Sequence, residues 1–195
     1  MTARIDELMA RIEALYDEIE NEIAERRQRM RYRLERGKVR FETEALRQQR
    51  EWREGLASFL SRANPWHILT APVIYSLILP FVLLDVWVSL YQAICFRAYG
   101  IPRVRRSEHI HIDRHMLAYL NALQKLNCVY CGYCNGVIGY VREVAARTEA
   151  FWCPIKHAGP VRQPHGHYAQ FMDYGDGARF REGLNASRDR VTRGE

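Results

Sequence analysis

The stretch WHILTAPVIYSLILPFVLLDVWVSLYQAICF (66–96) constrains this chain more than any other. Within it, Ile68–Leu84 is 17 residues long without a charge, and apolar character resumes after Asp85. A helix needs roughly 17–25 such residues to cross a hydrocarbon core about 30 Å thick. Trp66, Trp87 and Tyr91 suit the interfaces, where amphipathic rings collect. The spacing therefore predicts one apolar membrane segment over 66–96; the alternative is a buried helix of a soluble core. Pro80 predicts a kink, because its ring clashes with the carbonyl four residues earlier. Two topologies fit: a single crossing by 68–84 with Asp85 at the exit interface, which is the simpler, or a re-entrant hairpin turning near Pro80. Arg53 and Arg62 precede the segment and Arg97, Arg103, Arg105 and Arg106 follow it, so the positive-inside rule draws both flanks toward the cytoplasm.

Charge is unevenly placed around that block. Residues 1–25 are acidic, 26–62 strongly basic, 63–96 hold Asp85 as their one charge, and 97–195 are basic again, giving +6 over 195 residues. In the first segment Ile5, Leu8, Ile12, Leu15 and Ile19 recur at steps of three and four, the seam of a coiled coil. Gly37 is a natural helix break, and a second helix is expected from about Phe41 to Ser61. Region 1–62 is thus a coiled-coil or helical-hairpin unit suited to self-association or a protein partner. Within it, RRQRMRYRLERGKVR (26–40) carries eight basic residues and one acid... a composition suited to anionic lipid headgroups near an apolar segment. The alternative is a solvated arginine-rich face. No helix-turn-helix pattern points to nucleic acid.

Beyond the apolar block, His109–Ile112 alternates as a short strand would. Asp113 is a candidate N-cap for a helix to about Asn127, and a further helix is expected over Val137–Trp152. Between them lies NCVYCGYCNG (127–136), read as a tight loop with Gly132 and Gly136. From about residue 159 the composition turns to Gly, Pro, His, Arg and Asp, which predicts a mostly disordered tail.

Five cysteines are present, and four of them, Cys128, Cys131, Cys134 and Cys153, fall within 26 residues. The charged N-terminus does not resemble an export signal, so reduced thiols are expected. A two-residue gap lets neighbouring thiolates reach one ion while other ligands come from a distant element. One reading is structural zinc on Cys128, Cys131 and Cys153 with Cys134 or His157 as the fourth ligand. An alternative is a [4Fe-4S] cluster on the four cysteines, because C-x2-C-x2-C with a remote Cys-Pro resembles the ligand pattern of bacterial ferredoxins. The third is thiols that only pack or undergo redox chemistry. A secondary group is His109, His111, Asp113 and His115, which Glu143 or Glu149 could complete. The alternative is a capping Asp and solvated histidines. No nucleophile elbow, phosphate-binding glycine loop or zinc-protease helix is evident, which weighs against the common enzyme classes.

The stretch DRHMLAYLNALQKLNCVYCGYCNGVIGYVREVAARTEAFWCPIKHA, with the upstream YQAICFRAYGIPRVRRS, resembles a family of bacterial membrane-associated cysteine-containing proteins. The likeness spans roughly 65–158 and implies a membrane-associated bacterial protein, with no activity attached. The expectation is a mostly α-helical chain: 1–62 coiled coil and basic helix, 66–96 membrane segment, 100–158 Cys/His metal-binding helical domain, 159–195 tail. It would sit at the bacterial inner membrane with its C-terminal domain in the cytoplasm, as a metal-binding accessory or scaffold protein. The alternative is an iron–sulfur electron-transfer protein beside a membrane complex.

Overall fold

The computed structural model describes residues 2–35 and 38–195, and most of them are helical. Arg36 and Gly37, where a helix break was expected, lie outside the described residues, as does the side chain of Ile5. The chain divides into two compact units, each built from two segments: Met1–Arg62 with Asp113–Leu126, and Ala63–Ile112 with Asn127–Glu195.

The first unit opens with α1 (Thr2–Arg29). The seam residues Leu8, Ile12, Leu15, Ile19 and Ile23 are each 40–53% exposed, so their apolar edge has no cover within the described residues. Arg31, in the left-handed region at φ 53°, ends the helix and turns the chain into an antiparallel hairpin of β1 (Tyr32–Glu35) and β2 (Lys38–Phe41). Tyr32 pairs with Phe41 across it, ring centroids 5.3 Å apart. The arginine-rich stretch is therefore a helix end plus a hairpin. The single helix expected over 41–61 is two short ones, α2 (Thr43–Glu51) and α3 (Leu56–Ser61), separated around Gly55. Gln49 Oε1 of α2 accepts the Ala118 N–H at 3.0 Å, tying in the second segment of the unit.

The second unit carries α4 (Pro65–Ser76) and α5 (Ile78–Tyr91), which continue through a widened turn at Gln92–Phe96 into α6 (Arg97–Tyr99). This run, Pro65–Tyr99, is 35 residues and is long and apolar enough to cross a membrane. The interruption falls at Leu77, three residues before Pro80, because the missing proline N–H removes the bond that the Ser76 carbonyl would accept. Gly100, at φ 72°, ends the helix, and the chain returns as an extended segment from Ile101. No strand forms at 109–112; a 3-10 turn at Arg106–Glu108 precedes irregular chain.

The largest correction concerns the cysteine stretch. It is not a loop: α7 runs unbroken from Ala122 to Trp152. Its start is fixed by a capping box, in which Asn121 Oδ1 accepts the Gln124 N–H (3.0 Å) and Gln124 Oε1 accepts the Asn121 N–H (2.9 Å). Asp113 opens only the three-residue turn Arg114–Met116 and makes no side-chain cap. Glycine in a helix costs about 1 kcal/mol, but here its missing side chain is needed. A Cβ on Gly136 would lie 2.7 Å from the Ile110 Cα and 2.9 Å from the His109 carbonyl oxygen. The returning segment therefore lies directly on the helix backbone.

The tail is ordered as well. The Met172 N–H donates to the Pro154 carbonyl at 2.9 Å, a 3-10 turn spans Gly166–Gln170, and α8 (Phe180–Arg193) buries Val191 and Ser187. Composition misled here because a few large side chains suffice. Phe171 and Val191 join Phe96, Ile101, Val104, Tyr140, Val144 and Ala150 in one core.

Candidate functional site

The second unit holds one side of the apolar helix in a polar clasp. Tyr130 Oη donates to the Ile74 carbonyl at 2.7 Å, and Tyr75 bonds the Asn127 side chain. Further along, the buried Asp85 accepts Arg106 Nε at 2.9 and 3.1 Å and the Tyr133 hydroxyl at 2.9 Å. Gln92 is also buried; its Oε1 accepts the Val104 N–H at 3.0 Å while its Nε2 donates to the Val104 carbonyl at 3.3 Å. Tyr91 Oη meets Thr148 Oγ1 at 3.0 Å. Partner numbers rise together, so α5 and α7 run parallel, with the return segment laid antiparallel along them.

The opposite side of α4–α5 is bare. Leu69, Val73, Leu79, Leu83, Val86, Trp87, Leu90 and Ile94 are each at least half exposed and recur mostly at three- and four-residue steps. Only 6% of the most apolar window in this helix is buried. A soluble core helix would have covered that face, whereas here about half the helix circumference offers hydrocarbon to its surroundings.

The cysteine set is dispersed. Cys128 is half-buried, Cys131 exposed and Cys134 buried, at successive steps of about 4.5 Å along α7. Burial pushes the Cys134 thiol above its ordinary value. Cys153 is exposed just past the end of α7, about 28 Å of helix rise beyond Cys134. His157 stacks on Tyr168, centroids 6.2 Å apart, and its N–H donates to the Tyr168 hydroxyl at 2.8 Å. The expected helix-loop-helix return of Cys153 to Cys128 and Cys131 does not occur, because the stretch between them is a rod. Among the described residues no three His, Cys, Asp or Glu side chains are grouped as a metal site.

The secondary histidine group is also divided. His109 lies against Gly139 and Tyr140, and His111 Nε2 contacts the Glu108 carbonyl at 3.0 Å. Both belong to the second unit, whereas Asp113 and His115 belong to the first. Glu143 and Glu149 instead meet the tail histidines. His165 Nε2 lies 3.0 Å from Glu149 Oε2, and His167 Nε2 lies 3.5 Å from Glu143 Oε1. Arg147 Nε donates to Glu143 Oε1 at 2.8 Å, and its Nη1 reaches the Pro102 carbonyl. The His167 ring and then Arg147 hold the Glu143 carboxyl down at about 2 against partial burial. The carboxylates expected beside the His109–His115 group thus pair with the H-x-H at 165–167, a weaker signal in the sequence.

No protein-family model, curated protein or solved structure matches the chain.

Proposed function

We propose that this chain is a membrane-anchored accessory or scaffold protein, with α4–α5 as its anchor and α1 as its recruiting arm. The observation that carries the proposal is the bare apolar face of the 35-residue run Pro65–Tyr99. A row of large aliphatic side chains left in water is unfavourable by about 25 cal/mol for each Å², and a bilayer removes that cost. The exposed seam of α1 is the natural contact for a second copy or another helix. Arginines on both sequence flanks of the anchor favour the cytoplasmic face of a bacterial inner membrane. Zinc and the iron–sulfur alternative are not carried into this reading, because Cys153 and His157 do not approach the cysteines of α7.

The test is vesicle flotation of the full chain. Wild type is expected to rise with the vesicles, and the exposed-site double variant Leu79→Glu, Leu83→Glu to stay below with unchanged circular dichroism. A wild-type chain that remains soluble and unbound refutes the anchor. For α1, sedimentation of Leu15→Asp, Ile19→Asp against wild type reads the seam.

A further inference from the structure

We infer that α4–α5 docks side-on into one leaflet of an anionic bilayer and does not cross it. This rests on the anchoring role proposed above and names the lipid surface that receives it.

A crossing helix needs lipid or apolar protein around it for about 30 Å. From Ile74 onward, α4–α5 instead has the clasp along one side. The return segment there is extended chain, and such backbone is not tolerated in contact with hydrocarbon. It also carries exposed Arg103, Arg105 and Glu108, with Arg106 half-exposed beside Asp85. Water or headgroups must therefore reach this side of the helix from Asp85 to Tyr99, about 21 Å of its length. The remaining stretch, Pro65–Leu84, is long enough to cross. However, its midpoint is at Ile74 and Tyr75, where the Asn127 side chain is bonded, so a crossing would set an amide at the centre of the bilayer.

The bare face points the same way. From Leu69 to Ile94 it extends about 38 Å, longer than the hydrocarbon core, and it continues past Asp85 beside the charged clasp. A one-sided apolar stripe with the polar chain on its other side fits the plane of an interface. Trp66 and Trp87, about 31 Å apart along the helix, would occupy two headgroup belts in a crossing or one in side-on docking. The clasp decides between them. Arg97, Arg103 and Arg105, all exposed at the C-terminal end, supply the charge that selects anionic lipid.

The full chain is bound to vesicles of 70% phosphatidylcholine and 30% phosphatidylglycerol. Val73, at the middle of the crossing-length stretch and 68% exposed, is replaced by Trp in a background with the four native tryptophans changed to Phe. Lipids brominated near the headgroup are expected to quench Val73→Trp at least twofold more than lipids brominated near the chain ends. Stronger quenching by the deep bromines overturns side-on docking while leaving the anchor standing. The unsubstituted full chain is tested in parallel with tags at both ends. Protease added outside vesicles should remove both, and protection of either one overturns the inference. Failure to float at all sinks the anchoring role and this inference together.

Discussion

Two glycines three residues apart on α7 should respond to alanine with opposite signs. At Gly136 the added methyl would sit 2.7 Å from the Ile110 Cα and 2.9 Å from the His109 oxygen, both backbone atoms of the return segment. That segment is pinned by Arg106 on Asp85 and by Gln92 on Val104, so it cannot simply move aside. Overpacking of this kind costs about 1–3 kcal/mol or more, against a helix-propensity gain of about 1 kcal/mol. A net loss of about 1–2 kcal/mol is expected, equivalent to a fall in Tm of roughly 2–8 °C for a chain of this size. At Gly139 the nearest atom is His109 Nδ1 at 3.6 Å, an ordinary contact, so Gly139→Ala should gain up to about 1 kcal/mol. Both variants are measured by urea and thermal unfolding under one lipid or detergent condition. Equal stabilisation by the two substitutions would refute the laying of the return segment on α7. Equal loss would restore the loop that the sequence suggested.

Three further outcomes follow from the polar contacts. Arg106→Leu leaves the buried Asp85 carboxylate without its cationic partner and should cost about 2–4 kcal/mol in urea unfolding, more than Asp85→Asn, which leaves a half-exposed arginine able to hydrate. Glu143 is held at about 2, below the roughly 4.3 of an unpaired glutamate, so its contribution is complete above pH ~4.3 and is lost as pH falls toward 2. With partial exposure taken into account that loss is about 1–2 kcal/mol, and acid titration of stability in Glu143→Gln should be flatter by that amount over the same window. Among the thiols, the exposed Cys131 and Cys153 should alkylate first and the buried Cys134 last, read by mass spectrometry of a timed iodoacetamide series; early labelling of Cys134 would contradict its placement.

The apolar run 66–96 and the helical character of α1 were legible because each rests on a local signal, an uncharged window or a repeat of three and four. The continuity of α7 was not. Gly132, Gly136, Asn127 and Asn135 are turn-forming residues by local chemistry, and only the approach of Ile110 and His109 explains why glycine belongs in that helix. Asn135 is absorbed too, its amide donating back to the Cys131 carbonyl at 2.9 Å. The NALQ capping box at 121–124 is a local signal that outcompetes Asp113, whose side chain caps nothing. Clustered cysteines suggest a shared ion only where sequence proximity is also spatial proximity, which a 31-residue rod does not provide for Cys153. Docking of the tail was hidden for another reason: His165, His167, Phe171 and Val191 are sparse in sequence, and their partners lie on elements far from them in the chain.

The clasp also imposes an order on synthesis. Tyr140, which meets Ser89, is 51 residues further along the chain, and Tyr133 is 48 residues beyond Asp85. At about 5–20 residues per second, the apolar helix leaves the ribosome roughly 3–10 s before those tyrosines. For that interval all sides of α4–α5 are open, and the nascent chain is at its stickiest before it can fold. A membrane met during translation would shelter the helix until the tyrosines arrive to claim one side of it, so delayed targeting should cost yield before it costs stability.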